Sequence, residues 1–251
     1  MNISKPLPAP ALAPWLRPLM LAGAFVMLAP LAQAGAFSVT PVRIYMVPRD
    51  RAVAVTIVNE GDTEVALQAD LNLWRQKPDG TDELTLTEDL ILSPPIIKIG
   101  PKARQVVRLA RLGPADASRQ LTYRLIVREV PEATAPKDKS IQIPISLALS
   151  MPVFITPPAA QRAMQCDVAR ADARTLTATC ANSGTAYAQV REVLLQRGEE
   201  VLARFEGGTY ILPGARKAMT AKGEKPVPAG PARMAVQFDD GKSQSFDVVL
   251  P

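Results

Sequence analysis

The chain has 251 residues, 29 basic and 24 acidic, and no His. A formal charge of +5 without basic–aromatic interleaving argues against a nucleic-acid role. Without His there is no Ser–His or Cys–His nucleophile pair, two Cys alone cannot complete a four-ligand zinc site, and no Gly-rich phosphate loop precedes a helix, so the chain reads as a non-enzyme without metal or cofactor.

Residues 1–34 have the pattern of a secretory leader. Lys5 and Arg17 supply positive charge, and residues 19–29 form an apolar run too short to span a bilayer. Ala32-Gln33-Ala34 is a small-residue cleavage site. No later stretch approaches the roughly 18 apolar residues a spanning helix needs, so no membrane anchor is expected after cleavage. Removing the leader leaves 217 residues and a formal charge of +3. That length is too great for one sandwich of about 100 residues and suits two.

In chain order, residues 36–44 open the exported portion, with Arg43 expected inside this first strand. Residues 52–59 are β-rich and end in the turn Asn59-Glu60-Gly61-Asp62. Residues 65–74 alternate, with Val65, Leu67, Ala69, Leu71 and Leu73 on one face. Lys77-Pro78-Asp79-Gly80 is a turn. Residues 90–99 contain Pro94-Pro95 and read as an irregular edge segment ended by Gly100-Pro101. Residues 105–112 and 121–130 are two further strands, and residues 131–139 form a loop.

Residues 141–155 are the longest patterned stretch. Ile141, Ile143, Ile145, Leu147, Leu149, Met151, Val153 and Ile155 occupy every odd position, the period of a strand with one apolar face. As one strand it would run roughly 50 Å. Pro144 cannot donate to a ladder and puts that end on a sheet edge. A long apolar edge strand is an aggregation hazard. Either a neighbouring layer covers the row, or the row is a binding surface.

Thr156-Pro157-Pro158 is a stiff hinge, which divides the chain near residue 157. Candidate strands beyond it are 176–181, 187–196, 200–205, 234–238 and 245–250, with a loop at 222–231. Frequent turns and no helical period predict an all-β protein of sandwich domains, with no internal repeat of 20–50 residues. Cys166 and Cys180 are expected to pair, since an exported chain with two Cys suggests one disulfide. The carboxylate pairs Glu199-Glu200 and Asp239-Asp240 sit in turn-like segments and read as solvated surface. Arg43, Arg108, Arg124 and Arg128 stand on strands, either facing outward or forming an anion grip between domains.

Several segments, in this order, resemble the periplasmic pilus-assembly chaperones of the chaperone–usher pathway. They are Val39-Thr40-Pro41-Val42-Arg43, Leu92-Ser93-Pro94-Pro95-Ile96, Ile99-Gly100-Pro101 and Gln105-Val106-Val107-Arg108-Leu109. Tyr123-Arg124-Leu125, Arg128-Glu129-Val130-Pro131 and Phe238-Asp239-Asp240-Gly241 complete the set. The resemblance implies two immunoglobulin-like domains joined at an angle, residues 35–156 and 157–251, in the periplasm. It implies a donor strand that completes a pilus subunit by β-augmentation before delivery to an outer-membrane usher. Ile141, Ile143, Ile145, Leu147, Leu149 and Met151 would enter the subunit. Arg43 would anchor the subunit's terminal carboxylate. The family's partner Lys matches Pro152 here, so the second cation is assigned to Arg124, with Arg108 as runner-up. The run Tyr123-Arg124-Leu125 resembles the archaic branch. Glu129 and Asp240 match acidic members of the family's interdomain tie, while its basic position matches Thr156, which implies an altered tie. A secreted two-domain β adhesin or structural pilus component is the alternative.

Overall fold

The computed structural model describes residues 37–130, 146–223 and 225–250. The leader, the loop at 131–139 and the first part of the expected long strand, with Ile141, Ile143, Pro144 and Ile145, lie outside the described residues. No described residue is helical.

Ten strands build the first sandwich: β1 (Phe37–Thr40), β2 (Ile44–Met46), β3 (Ala52–Asn59), β4 (Val65–Gln76), β5 (Asp82–Leu86), β6 (Leu90–Ser93), β7 (Ile96–Ile99), β8 (Arg104–Arg111), β9 (Leu121–Glu129) and β10 (Ala148–Ile155). One sheet runs β1-β3-β8-β6. The other runs β2-β10-β9-β4-β5, with β7 also on β4. Alternation turns one face of each sheet inward. Val55, Ile57, Val107 and Leu109 thereby meet Ile44, Leu67, Leu125, Val127 and Val153 in one core.

Two segments expected as single elements are each split between the sheets. The first strand leaves one sheet after Thr40, and Ile44 begins on the other. Residues 90–99 do the same across Pro94-Pro95, with β6 on β8 and β7 on β4. Proline has no N–H for a ladder, so a strand ends there at little cost. Arg43 therefore sits in the crossing between β1 and β2, not inside a strand.

Seven strands build the second sandwich: β11 (Met164–Arg170), β12 (Thr175–Asn182), β13 (Ala188–Arg197), β14 (Glu200–Ile211), β15 (Arg216–Lys222), β16 (Gly230–Phe238) and β17 (Ser243–Leu250). They form the sheets β11-β12-β15 and β14-β13-β16-β17 around a separate core that includes Val193, Phe205, Met234 and Val236. Cys166 and Cys180 face each other across β11 and β12 and form a disulfide.

Each sandwich uses one buried Asn in the same way. Asn59 donates to the carbonyls of Thr63, Ile99 and Gly100, while its oxygen accepts from Gly61 N–H. Asn182 donates to Ala186 and Ile211, and its oxygen accepts from Gly184 N–H. Both side chains satisfy backbone groups where a strand ends. Gly184 is required there, because a Cβ would come within 2.3 Å of the Gln161 carbonyl oxygen.

The sandwiches touch through Trp74, Phe154 and Leu212, flanked by Tyr187 and Tyr210. Phe154 is fully buried and stacks on Tyr187 with ring centres 4.1 Å apart. Gln76 bridges the same boundary, donating to the Tyr210 carbonyl and accepting from Leu212 N–H. Gln120 accepts from Tyr187 N–H and donates to the Thr156 hydroxyl. Residues 156–163 carry the chain from β10 to β11.

Candidate functional site

The site begins with the uneven pairing of β10. Its whole length, Ala148–Ile155, pairs with β9 in antiparallel register. Only Val153, Phe154 and Ile155 also pair with β2, and in parallel. Among the described strands, residues 148–152 have no partner on that second side. A strand with one side unpaired is a template for another chain.

Burial changes along this strand. Leu147 and Leu149 are partly buried against the core of the first sandwich, whereas Met151 is only 4% exposed and lies within it. Met151 is therefore packed into the core of the chain's own first sandwich. By that point the odd-numbered face lies in the core between the two sheets. The even-numbered face is covered as well, since Phe154 enters the aromatic cluster.

Two cations meet at the level where the second side of β10 becomes unpaired. Arg124 stands directly opposite Pro152 in the β9–β10 ladder. Arg43 immediately precedes Ile44, which pairs with Val153. Both reach toward Tyr210, with guanidinium carbons 5.8 Å (Arg43) and 5.6 Å (Arg124) from its ring centre. Arg124 also lies 3.8 Å from the Trp74 ring centre, a cation–π stack. Burial disfavours the charge of Arg124 and lowers its pKa, against the opposing fields of Asp82 and Tyr210. Among the described residues no carboxylate lies within ion-pair distance of Arg124.

Arg43 is held differently. Its Nη1 donates to Asp239 Oδ2 at 3.0 Å, and Tyr187 Oη donates to the same oxygen at 3.1 Å. The hydroxyls of Tyr45 and Tyr187 are 3.0 Å apart and share a hydrogen bond. Burial works against the charge of Arg43, but Tyr45, Tyr210 and Asp239 outweigh it and raise its pKa. Burial is also the largest cause of the raised pKa of Tyr187, so that hydroxyl stays a donor.

Arg108 is not brought to this place. It lies on β8 in the other sheet, between Ala54 and Ser93, with an exposed side chain. Asp239, but not the exposed Asp240, departs from its reading as solvated surface. The Asp239 side chain is 9% exposed and pairs with Arg43, and Asp240 takes two hydrogen bonds from Arg162. Thr156, the site of the missing basic residue, accepts from Gln120 instead.

Sequence reasoning missed Trp74, Tyr187, Tyr210 and Asp239. The available signal was slight: aromatics are scarce, 5% of the chain, and one of them, Phe154, falls within the patterned residues 141–155. It did not say which aromatics would meet. Nothing local marks Asp239 as the partner of a residue 196 positions away.

A family model described as "Pili and flagellar-assembly chaperone, PapD N-terminal domain" matches residues 36–161. No curated protein sequence matches. Among solved structures, the chain is similar to one from the CsuC–CsuE chaperone–tip adhesion subunit pre-assembly complex of archaic chaperone–usher Csu pili of Acinetobacter baumannii. That match has 18% identity, a TM-score of 0.60, and covers 86% of this chain and 99% of the other. The Escherichia coli chaperone DraB matches with 18% identity and a TM-score of 0.57, over 87% of this chain and 98% of its own. The Pseudomonas aeruginosa CupB2 chaperone matches with 18% identity and a TM-score of 0.54, over 85% and 100%. The structural likeness carries the two-domain immunoglobulin-like fold, and the family match spans half of the sequence: the chain belongs to the pili and flagellar-assembly chaperones.

Proposed function

We propose that this chain is a periplasmic chaperone that lends a strand to pilus subunits and passes them to an outer-membrane usher. Residues 35–156 would be the subunit-binding domain and 157–251 the second domain. The observation that carries this reading is the coincidence of one unpaired strand side with two converging cations. A subunit strand lying along residues 148–152 would end its run where β2 begins, beside Arg43 and Arg124. A terminal carboxylate at that point fixes direction: the subunit strand runs parallel to β10, as β2 does. Arg43 and Arg124 supply planar donor forks suited to a carboxylate. Arg124 takes the place of the Lys absent at position 152, because it is the ladder neighbour of that position. This use of Arg124 also supports the archaic-branch resemblance.

In this reading Ile141, Ile143, Ile145, Leu147 and Leu149 enter the subunit's groove, and Met151 roots the row in the chaperone. Each apolar side chain buried in the groove contributes roughly 1.5–3 kcal/mol. The test is co-purification of a co-expressed pilus subunit from the periplasm with wild type, Arg43→Ala and Arg124→Ala. Both variants should fold normally and recover little or no subunit. Wild-type recovery by both would overturn the anchor.

A further inference from the structure

Asp239 occupies a cation that the proposed anchor needs. Its Oδ2 receives both Arg43 Nη1 and Tyr187 Oη. Its backbone is fixed as well, since Asp239 N–H donates to the Gln189 carbonyl. The carboxylate is nearly buried, at 9% side-chain exposure, and belongs to the second sandwich, in the turn between β16 and β17. Arg124, by contrast, makes no ion pair among the described residues and lies over the Trp74 ring, with Tyr210 nearby.

We propose that Asp239 is the internal occupant of the carboxylate anchor, and that a client's terminal carboxylate binds by displacing it from Arg43. The inference rests on the anchor reading given above. Two carboxylates sharing one guanidinium edge repel each other, and the fork can clamp only one in bidentate fashion. An incoming carboxylate therefore meets Arg124 without an ion-pair competitor, and reaches Nη1 of Arg43 only against Asp239. Displacement would also release the Tyr187 hydroxyl, so client binding loosens one tie between the sandwiches. Asp239 thus sets the threshold of the anchor: a client must supply enough strand contact, as well as a carboxylate, to win Arg43.

The consequence is measurable, because an internal competitor divides apparent affinity by the fraction of anchor left open. The probe is a synthetic peptide of about ten alternating Val and Thr residues, made with a free C-terminal carboxylate and as its amide. Binding is followed by the fluorescence of Trp74, which lies under Arg124. Asp239→Asn should bind the acid peptide about fivefold more tightly than wild type, with the amide unchanged. Tyr187→Phe keeps the ring and removes one hydrogen bond to Asp239, so it should give a smaller gain in the same direction. It carries the test if Asp239→Asn does not fold. An acid peptide that binds these variants no better than wild type, or not at all, overturns the proposal, and so does an equal gain for acid and amide. Arg43→Ala separates the two readings. If it abolishes the acid-over-amide preference while Asp239→Asn brings no gain, the anchor stands and Asp239 is only structural. If the preference survives Arg43→Ala, the anchor reading itself has failed.

Discussion

Arg124 and Pro152 are directly opposed in the β9–β10 ladder. Their side chains share a face of the sheet, since opposed residues in a ladder point the same way. A cation needed near position 152 can therefore come from β10 itself or from its neighbour across the ladder. The sequence places Pro on one strand and Arg on the other. The Arg then lies over Trp74 instead of extending freely into solvent.

That arrangement predicts unequal roles for the two arginines. Arg43 is tied to Asp239, whereas Arg124 is packed on rings. Arg124→Lys should keep the charge but lose the planar stack and the fork. Subunit recovery should fall at least severalfold, with little change in the thermal melt of the free chain. Full recovery with Lys would show that charge alone suffices.

Leu147 and Val153 lie on one face but in different surroundings. Leu147 is half-buried at the margin of the core, and Val153 is fully buried inside it. Asp at a buried apolar position loses hydration without gaining a partner. Leu147→Asp should destabilise the free chain by about 1–2 kcal/mol and abolish subunit recovery. Val153→Asp should prevent folding. Ser146→Asp, at an exposed position whose hydroxyl donates to the Glu129 carbonyl, should affect recovery less than Leu147→Asp. Urea melts and co-purification measure all three.

Phe154 joins the sandwiches rather than filling either core. It lies between Trp74, Tyr187 and Tyr210. Phe154→Ala should cost about 3–5 kcal/mol. Because the loss falls on the shared cluster, calorimetry should resolve two transitions for the variant and one for wild type. A single transition shifted as a whole would mean that other contacts dominate the coupling.

The disulfide closes a short hairpin with a sequence separation of 14. In the chain-entropy treatment such a loop contributes about 3 kcal/mol. Intact mass under non-reducing conditions should show no free thiol. Cys166→Ala with Cys180→Ala should lower stability by about that amount and leave subunit binding intact, since the bridge lies in the second sandwich.

Acid should weaken the fold through Asp240 and three turn aspartates. Burial works against the Asp240 charge, but hydrogen bonds from Arg162 and Lys242 N–H hold its carboxyl below the usual range. Asp79, Asp116 and Asp172 are lowered by hydrogen bonds from turn groups. A folded-state pKa below the unfolded one stabilises above the unfolded value near 4, and that stabilisation is lost as pH falls through the folded value. Stability measured by urea melts should decline below about pH 4. Asp240→Asn should make the decline shallower. With no His, no imidazole transition is expected between pH 5 and 8.

Local pattern settled much of this protein. Residues 52–59 alternate because β3 has one buried face, and its bounds follow from the apolar run and the turn at Asn59. The odd-numbered apolar row of 141–155 and the two Cys were likewise legible in the residues alone. The strands β5, β11 and β15 were not. All of β5 is exposed, and β11 and β15 carry many polar or small residues, so their alternation is weak. Partners were beyond the sequence altogether. A period of two assigns faces to a strand but does not say which strand lies beside it, or where the chain leaves one sheet for the other. The crossing at Pro41, the opposition of Arg124 to Pro152 and the pairing of Arg43 with Asp239 depend on packing between segments far apart in the chain. Only the tertiary structure decided them, because their energies come from burial and charge proximity that do not exist until the sandwiches have formed.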